Sequence, residues 1–422
     1  MCFYEETFLQ AVSVFQKLQS VPFRRSAVAE FLEEIFMKRN TLVVCAAALI
    51  LVLSMGCSNS KKTASAQKSV SEPVVSKYPD AGKLPHYTVG VVIHTTTDFL
   101  CSQLKKYLDY LGENFNVTFK FNVIPSFADD VYLGAIQDLC SQGVDGIIAT
   151  NFSGQAILQG LKICEENKVY LGIGFSQVDS KIASQAIRNP YYVGSSYEDD
   201  YNAGYSLIMN LSKNNCNKIA AIGYQPGILC HDRRWSGMMQ AFKDHPEITK
   251  VGEYRGLEFT KAVENFLAMS PDMNGVAITL LGMEYCSQPI SAAGRTGKVK
   301  IACVDFADTS EQGLESGELV TTVGGQFIDA MFPFVLIYNR LAGTPLTDEA
   351  VEIPVNFITC TTAQQFRDYM KYVNGDVFPY TADEVKSVIK KFNPDANADT
   401  LKKWASTYSI DEVKTRHAAF FN

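Results

Sequence analysis

Several charged side chains directly follow apolar segments of this chain, and their types suit hydrogen bonding to a small molecule. Asp98 comes shortly after the apolar run Tyr87–Ile93, and Asp305 follows the run Val299–Val304. A carboxylate at the end of a buried segment needs a hydrogen-bonding partner or a ligand. Arg234 carries a planar guanidinium whose forked donors fit adjacent hydroxyl groups. These three residues are therefore candidates for binding a small polar molecule.

Each of these candidates also has a plainer role. Asp98 and Asp305 can cap the helices that follow them. Arg234 can form a solvated surface charge run with its neighbours Asp232 and Arg233. From the residue types alone, both interpretations stay open.

Aromatic and further polar side chains would complete such a site, because ring faces cover the apolar C–H surfaces of a ligand. The candidates are the rings of Phe99, Phe175, Trp235 and Phe259, together with the polar groups of His94 and Gln326. Packing in the core is an equally ordinary role for Trp235 and Phe259.

Signatures of catalysis and of cofactor or metal binding are weak. Gly172-Ile-Gly174 lacks the third glycine and the downstream acidic residue of a dinucleotide fingerprint. The sequence contains no Gly-x-Ser-x-Gly elbow, and its five histidines show no ligand spacing. We therefore predict no catalysis, no cofactor and no metal site. The net charge of −7 also argues against a nucleic-acid partner, because no basic stripe is present to neutralise phosphates.

The segment Met37–Cys57 has the layout of a secretory signal. Two basic residues precede the unbroken apolar run Thr41–Leu53, and compact residues then lead to Cys57. The run is too short to span ~30 Å of hydrocarbon comfortably as a permanent helix. The ending Leu53-Ser-Met-Gly-Cys57 resembles a bacterial lipobox, in which the chain is cut before the cysteine and the thiol carries diacylglycerol. Met55 is unusual in that box, and the alternative is a signal anchor that stays uncleaved.

The residues on either side of the signal differ in amino-acid composition. Residues 1–36 are acidic and rich in aromatic residues, so we expect translation to begin at Met37; a functional amphipathic helix is the alternative. Residues 1–56 then comprise an upstream segment and the signal. Residues 57–84 are rich in Ser, Lys, Ala and Val and predict a flexible tether.

Strand-like and helix-like segments alternate from Tyr87 onward. The predicted strands are 87–93, 116–124, 146–150, 169–175, 218–223, 251–254, 275–280 and 299–304. The predicted helices are 98–111, 129–142, 153–167, 199–212, 233–244, 260–268 and a stretch from about Gln288. Almost wholly apolar strands are typical of parallel sheets that are buried on both faces, and the alternation implies βαβ units. The pattern predicts an α/β fold with two doubly wound lobes, followed by extra helices capped at Thr381 and Ser409.

Four stretches give the chain a family resemblance, which covers about Tyr87 to Val373. They are Tyr87–Phe99; Val193-Gly-Ser195 with Gly204; Gln225-Pro-Gly227 leading to Arg234-Trp-Ser-Gly237; and Val304-Asp305 with Gly317–Gln326. Their order and spacing resemble the type I periplasmic sugar-binding proteins, whose fold is shared with the ligand domains of LacI-type repressors. A signal and tether stand where such repressors carry a DNA-reading helix-turn-helix.

The resemblance implies a domain organisation. Two parallel-sheet lobes would be joined by a three-strand hinge. Lobe 1 would comprise residues 85–193 and 326–345, and lobe 2 residues 194–325 and 346–373. A helical C-terminal extension would occupy residues 374–422.

The resemblance also implies a function and a site. The protein would be the solute-binding lipoprotein of an ABC importer, outside the cytoplasm in the periplasm or at the cell exterior. It would capture a small polar ligand, a monosaccharide such as galactose or glucose, and deliver it to permease and ATPase subunits. Only the lipid at Cys57 would hold it to the membrane. Asp98 and Phe99 would face Arg234 and Asp305 across the cleft, with His94, Phe175, Trp235, Phe259 and Gln326 nearby. Sensing for a receptor kinase and binding of nucleosides are the alternatives.

Three departures from the family pattern bear on the ligand. Phe175-Ser176 stands where the family often has Asp-Arg or Asn-Lys, and Thr279-Leu280-Leu281 lacks the usual Asn-Asp. Gly325 occupies the usual hinge position of a Gln or Asn, with Gln326 beside it. We therefore expect a pocket with fewer amides and carboxylates, where stacking on a ring contributes more, and we place a sugar ahead of a nucleoside.

The lipobox-like ending generates a first prediction. Cys57→Ser removes the only thiol that the lipid could modify there, so the variant should lose lipid labelling and leave the membrane fraction. Fractionation of cells fed a labelled fatty acid measures both effects. Starting translation at Met37 is the control and should leave export unchanged. Full membrane association of Cys57→Ser, with no lipid label on the wild type, would contradict the lipoprotein prediction.

Overall fold

The computed structural model describes residues 78–150 and 153–421. The predicted upstream segment, the signal with its lipidation site at Cys57, and almost all of the tether lie outside the described residues. Within the described ranges, every helix is too short or too polar to cross a bilayer.

Lobe 1 is built on a six-stranded parallel sheet with the strand order β11-β5-β4-β3-β1-β2. Its strands are β1 (Tyr87–Ile93), β2 (Val117–Val123), β3 (Gly146–Thr150), β4 (Tyr170–Gly174), β5 (Tyr192–Glu198) and β11 (Val351–Val355). Its helices are α1 (Phe99–Phe115), α2 (Asp129–Ser141), α3 (Gly154–Asn167), α4 (Ser180–Ala186) and α10 (Met331–Leu341). A short 3₁₀ helix, Gln326–Ala330, packs against α1 and precedes α10.

Lobe 2 repeats this plan with the strand order β12-β10-β9-β8-β6-β7. Its strands are β6 (Lys218–Tyr224), β7 (Thr249–Gly256), β8 (Gly275–Ile278), β9 (Lys300–Val304), β10 (Leu319–Gly324) and β12 (Ile358–Cys360). All neighbours are parallel except β12, which pairs antiparallel with β10. Its helices are α5 (Asp200–Lys213), α6 (Leu229–Asp244), α7 (Phe259–Met269), α8 (Gly282–Ala292), α9 (Ser310–Ser316) and α11 (Ala363–Tyr372).

The central strands are apolar because each sheet is covered on both faces. In β9, Ile301 and Cys303 belong to one apolar cluster, while Ala302 and Val304 belong to another. Successive strand residues point to opposite faces, so a strand buried on both sides has no polar alternation. The apolar runs in the sequence therefore predicted the two doubly wound lobes correctly. The eight cysteines in the described ranges are likewise buried and present as free thiols.

The chain crosses between the lobes three times, and two crossings differ from the sequence-based boundaries. Strand β5 runs to Glu198 within the lobe 1 sheet, so the first crossing lies about five residues after 193. Strand β11 pairs with β5, so residues 351–355 belong to lobe 1 rather than lobe 2. The third crossing is therefore the short link between Val355 and Ile358. The second crossing lies between β10 and Gln326.

The C-terminal extension is helical and packs on the hinge. It contains α12 (Ala382–Ser387), α13 (Ala398–Thr407), α14 (Ile410–Arg416) and the short α15 (Ala418–Phe421). The predicted caps are confirmed, since Thr381 accepts from the Glu384 N–H and Ser409 from the Glu412 N–H.

The extension contacts both lobes and two of the three crossings. The Tyr107 hydroxyl of α1 donates to the Tyr380 carbonyl at 2.8 Å, and α14 packs against α11 of lobe 2. The Tyr408 hydroxyl donates to the Gly325 carbonyl in the second crossing at 2.9 Å, and the Asn356 N–H in the third crossing donates to the Ala405 carbonyl at 3.0 Å. The extension therefore holds the hinge from one side.

The contacts between the C-terminal extension and the hinge generate a stability prediction. Tyr408→Phe leaves the buried Gly325 carbonyl without its donor, so the free energy of unfolding should fall by about 1–3 kcal/mol. Urea denaturation followed by circular dichroism measures the change. Tyr201→Phe is the matched control, because that side chain is 37% exposed, and it should change stability little. Equal stabilities for Tyr408→Phe and the wild type would show that the hydroxyl contributes nothing to the hinge.

Candidate ligand-binding site

A cavity of about 360 Å³ lies between the two lobes. It is near the lower end of the volumes of small-molecule sites, which run from about 300 to 1,000 Å³. Its walls come from loops that follow the carboxyl ends of the strands and from the first turns of the helices after them. Ligands of open parallel sheets bind at this edge.

Seven of the nine side chains that the sequence indicated line this cavity. They are His94, Asp98, Phe175, Arg234, Phe259, Asp305 and Gln326. Lobe 1 contributes His94, Asp98, Phe175 and Gln326, and the other three come from lobe 2.

Phe99 and Trp235 lie outside the cavity wall, in contrast to the sequence-based expectation. The Phe99 ring is turned toward Phe366 of α11, with the ring centroids 6.3 Å apart. Trp235 is one residue beyond Arg234 on α6, a rotation of about 100° around the helix axis. Its ring packs over Gly223 and beneath the Arg255 guanidinium, which lies 5.5 Å from the ring centroid.

Sequence reasoning missed nine further lining residues. They are Leu100, Phe127, Tyr224, Cys230, His231, Leu280, Leu281, Glu284 and Tyr285. Helix α6 begins at Leu229 rather than Arg233, and α8 begins at Gly282 rather than near Gln288. His231 and Glu284 were therefore assigned to loops. Tyr224 and Leu280 were detectable, because each stands at or just beyond the carboxyl end of a parallel strand.

The lobe 1 wall is organised around the N-terminus of α1. Asp98 is the N-cap, and its Oδ1 accepts from the Cys101 N–H at 2.6 Å. His94 Nε2 lies 3.3 Å from the other carboxylate oxygen. Burial alone would raise the pKa of Asp98, but the hydrogen bonds from His94 and Cys101 outweigh it and lower the pKa. Asp98 therefore both caps α1 and lines the cavity.

One group of side chains in the described ranges has the composition of a metal site. His94, Asp98 and Cys101 bring one potential ligand atom each within 4.8 Å of one another. Burial and the adjacent Asp98 carboxylate raise the pKa of the Cys101 thiol, which keeps it protonated. Within this group, the Asp98 carboxylate already caps α1 through the Cys101 N–H and lies beside His94.

Arg234 is 5% exposed and is bound mainly by protein groups. Its Nε donates to Asp200 Oδ1 at 2.7 Å, and its Nη1 donates to the Thr279 carbonyl at 3.0 Å. Nη1 also lies 3.9 Å from Asp305 Oδ2. Burial raises the pKa of Asp200 to about 6, while the guanidinium favours its charged form. Two of the three guanidinium nitrogens that we expected to bind a ligand therefore donate to protein groups of lobe 2.

Glycines allow α5 and α6 to approach closely enough for this ion pair. A Cβ at Gly204 would lie 1.9 Å from the Arg234 carbonyl oxygen, and one at Gly237 would lie 1.9 Å from the Tyr201 carbonyl oxygen. Both distances are far inside van der Waals contact, so only glycine fits. The two helices thus bring Asp200 and Arg234 together beneath the cavity.

Asp305 connects the lobes through Gln326. Gln326 Nε2 donates to Asp305 Oδ1 at 2.5 Å, from the start of the 3₁₀ helix in lobe 1 to the end of β9 in lobe 2. Burial raises the pKa of Asp305, and Arg234 and the Gln326 hydrogen bond oppose that rise. Asp305 has φ +70°, a left-handed backbone conformation that is uncommon outside glycine and that is found at functional sites.

Phe175 has the same unusual backbone and is held by a buried carboxylate. Its φ is +61°, and its N–H donates to Asp329 Oδ2 at 2.8 Å. The Glu198 carboxyl is also buried, and after this burial the charge of Asp329 is a further cause that raises its pKa. Burial is the main cause that raises the pKa of Asp329, to about 7, and it raises that of Glu198 well above its usual value. Two buried carboxyl groups with raised pKa values therefore lie where β5 leads into the first crossing.

Aromatic rings close the cavity between the lobes. Phe127 of lobe 1 meets Tyr224 of lobe 2 edge-on, with the centroids 5.8 Å apart. Tyr224 stacks on His231 at 4.9 Å, and Phe259 packs against Tyr285 at 4.9 Å. Burial, followed by nearby positive charge, lowers the pKa of His231 well below its usual value, so its ring is neutral.

An ion pair adds to the contact between the lobes. Arg233 Nη2 of lobe 2 lies 3.5 Å from Asp179 Oδ1 of lobe 1. With the Phe127–Tyr224 contact and the Asp305–Gln326 hydrogen bond, it identifies this arrangement as a closed one. Both lobes line the cavity, which stays partly open to solvent.

Comparison with known proteins gives one family and many structures of the same fold. Residues 89–332 match the family described as the periplasmic binding protein domain. An ABC transporter periplasmic solute-binding protein from Actinobacillus succinogenes 130z with bound D-allose is 17% identical, covering 67% of this chain and 100% of that one, with a TM-score of 0.57. No curated protein sequence matches the chain significantly.

Two further solved structures extend the likeness. A solute-binding protein from Bacillus halodurans C-125 with bound myo-inositol is 16% identical, covering 68% of this chain and 98% of that one, with a TM-score of 0.58. A periplasmic sugar-binding protein from Pseudomonas fluorescens is 15% identical, covering 74% of this chain and 99% of that one, with a TM-score of 0.61. At these identities the structures establish the fold.

The carboxyl pair beside Phe175 generates a pH prediction. Because the pKa of Asp329 is raised, the folded protein holds a proton that the unfolded chain releases. This contribution to stability is complete below the ordinary pKa of aspartate and is lost as the pH rises toward 7. Asp329→Asn removes the titration and keeps an acceptor for the Phe175 N–H. Part of the wild-type fall in unfolding free energy between about pH 4 and pH 7 should therefore disappear.

Urea denaturation at a series of pH values measures this effect. Asp376→Asn is the control, because Asp376 is exposed, and it should keep the wild-type pH dependence. Asp200 titrates in the same range, so the curve of Asp329→Asn should flatten only in part. An unchanged slope in Asp329→Asn would contradict a raised pKa at this residue.

Proposed function

The chain belongs to the periplasmic binding protein domain family, and on that premise we propose that it is the solute-binding lipoprotein of an ABC importer. It captures a small polar ring, a monosaccharide such as galactose or glucose, by closing its two lobes. The observation that carries this proposal is the cavity of about 360 Å³ between lobes that are in contact on both sides of it.

The cavity has the two kinds of surface that a sugar ring needs. Asp98 and Asp305 present carboxylate oxygens to ring hydroxyls, and each approaches from a different lobe. Phe175 and Phe259 present ring faces that cover C–H surface. Two solved proteins of this fold, with bound D-allose and myo-inositol, support a cyclic polyol as the ligand.

Closure would rotate the two lobes about the three crossings, beside which the C-terminal extension packs. Opening the cleft would break the Asp179–Arg233 ion pair, the Phe127–Tyr224 ring contact and the Asp305–Gln326 hydrogen bond. A ligand that contacts both lobes stabilises the closed form by the difference in its affinity for the two forms. Docking of this closed form on a membrane permease, with the protein tethered outside the cytoplasm through Cys57, completes the proposed role.

The buried setting of Arg234 decides which variant tests the binding site. Arg234→Ala would leave Asp200 buried and unpaired and would therefore destabilise lobe 2. A loss of ligand affinity in that variant could then come from lost stability instead of a lost contact with the ligand. Asp305→Asn keeps the shape of the side chain and an acceptor for Gln326. It removes the negative charge from the cavity wall and replaces one acceptor oxygen with an amide donor.

We therefore expect Asp305→Asn to weaken sugar binding by about 1.5–3 kcal/mol, the contribution of a hydrogen bond to a charged group. Isothermal titration of the ligand-stripped protein against galactose, glucose, ribose and inosine measures this. Asp272→Asn is the control, because Asp272 is an exposed ion-pair partner of Lys218 outside the cavity. It should bind as the wild type does.

The outcomes of this titration separate the possible ligands. Binding of inosine alone would contradict a sugar, and binding of none of the four would contradict monosaccharide capture. Uptake of the bound sugar by cells with and without the gene then tests import. Unchanged uptake, with loss of a transcriptional response to the sugar, would contradict import and indicate sensing.

A further inference from the structure

The cavity wall has many hydrogen-bond acceptors. Asp98, Glu284 and Asp305 all line it, and each offers carboxylate oxygens. The Gln326 side chain is 2% exposed, and its Oε1 has no hydrogen-bond partner, although Nε2 is bound to Asp305. A ligand that completes these groups must itself be rich in donors.

The positive charges around the cavity are fewer than the negative charges of its carboxylates. The single charge of Arg234 is shared between Asp200 and Asp305, and two of its nitrogens donate to protein oxygens. His94 is within 3.3 Å of Asp98 and can offset only that carboxylate. His231 is neutral and lies 3.2 Å from the Thr279 hydroxyl. Arg255 is bound to Asp232 and to the Tyr224 carbonyl, away from the cavity wall.

Glu284 is the least compensated of the acidic groups. It lies in the first turn of α8, lines the cavity and is also exposed to solvent, and its side chain has no ion pair or hydrogen bond within the described part of the chain. Burial, followed by the charges of Asp98, Asp308 and Asp305, raises its pKa. Both lobes therefore contribute carboxylates to this wall, Asp98 from lobe 1 and Glu284 and Asp305 from lobe 2.

Aromatic faces stand next to this acidic wall. Phe259 lies 4.9 Å from Tyr285 and 6.1 Å from Tyr224, measured between ring centroids, so the three rings form a continuous surface on lobe 2. Tyr285 directly follows Glu284 in the chain. Ring faces attract cations, and they do so more strongly when water is excluded.

We propose that the ligand carries a protonated amine, as an amino sugar does, and that its ammonium group binds among Glu284, Asp305 and Asp98 beside the Phe259 and Tyr285 rings. This inference rests on the proposed capture of a sugar-like ring and specifies its class. An ammonium supplies three donors and one positive charge, which the wall lacks. A neutral hexose supplies donors but leaves the charge uncompensated.

The test compares matched ligand pairs that differ in one amine. The purified, ligand-stripped protein is titrated calorimetrically at neutral pH with glucosamine against glucose and with galactosamine against galactose. N-acetylglucosamine serves as the neutral derivative. We expect at least one amine to bind about tenfold or more tightly than its hydroxyl counterpart, with a preference that decreases as salt is added.

Two variants locate the source of that preference. Glu284→Gln should reduce the affinity ratio of amine to hydroxyl ligand severalfold, because it removes the uncompensated charge and keeps the shape of the side chain. Glu258→Gln is the control, since Glu258 is, like Glu284, an exposed carboxylate of lobe 2 but lies outside the cavity wall, and it should keep the wild-type ratio. The ratio is measured on folded protein, so modest changes in stability do not affect it.

Failure of this inference can be distinguished from failure of the proposed function. If glucose or galactose binds and no amine is preferred, the amine inference is overturned and sugar capture stands. An equal preference in the wild type and Glu284→Gln would likewise overturn it. If none of the five ligands binds, the proposed capture of monosaccharides fails as well.

Discussion

The ion pair between Asp200 and Arg234 is the interaction around which the second lobe is arranged. Asp200 begins α5 directly after the first crossing, and Arg234 lies in the second turn of α6. The guanidinium also reaches the Thr279 carbonyl beyond β8, and it lies over the Phe357 ring of the third crossing. One side chain thus connects two helices, a strand end and the hinge. Breaking such a buried pair from one side costs about 3–5 kcal/mol, so its geometry is strongly maintained.

Carboxyl groups are concentrated where the chain passes between the lobes. Glu198, Asp200 and Asp329 are all buried there, and each has one oxygen atom without a hydrogen-bond partner. Burial that leaves polar atoms unsatisfied is costly, so a structure retains it only where the surrounding packing enforces it. The left-handed backbone at Phe175 and Asp305 lies in the same region. The hinge side of the cavity is therefore the most constrained part of the fold, while the outer contacts are exposed and easily broken.

The sequence predicted the layers of this fold well, because they depend on local patterns. Apolar runs identified strands buried on both faces, and capping residues such as Thr381 and Ser409 identified helix starts. The assignment of β11 to lobe 1 could not be predicted in this way. It depends on pairing with β5 across more than 150 residues, and no local pattern reports which sheet a short edge strand joins.

The cavity was predicted in part for a related reason. Strand ends located Asp98, Phe175 and Asp305, because such positions follow from the parallel sheet. Glu284 and His231 were missed because their helices begin without the usual signals. Ile228 is an N-cap with no side-chain hydrogen bond, and α8 continues through Pro289, a residue that normally marks a helix start or a break.

One apolar cluster runs through both lobes and the C-terminal extension. Val91 of β1, Ile222 of β6 and Leu401 of α13 all belong to it, so none of these parts can unfold without uncovering apolar surface of the others. The two lobes and the extension should therefore melt together in a single cooperative transition instead of one after another. Partly unfolded forms that a protease could cut are then rare, and resistance to proteolysis becomes a property of the whole described chain.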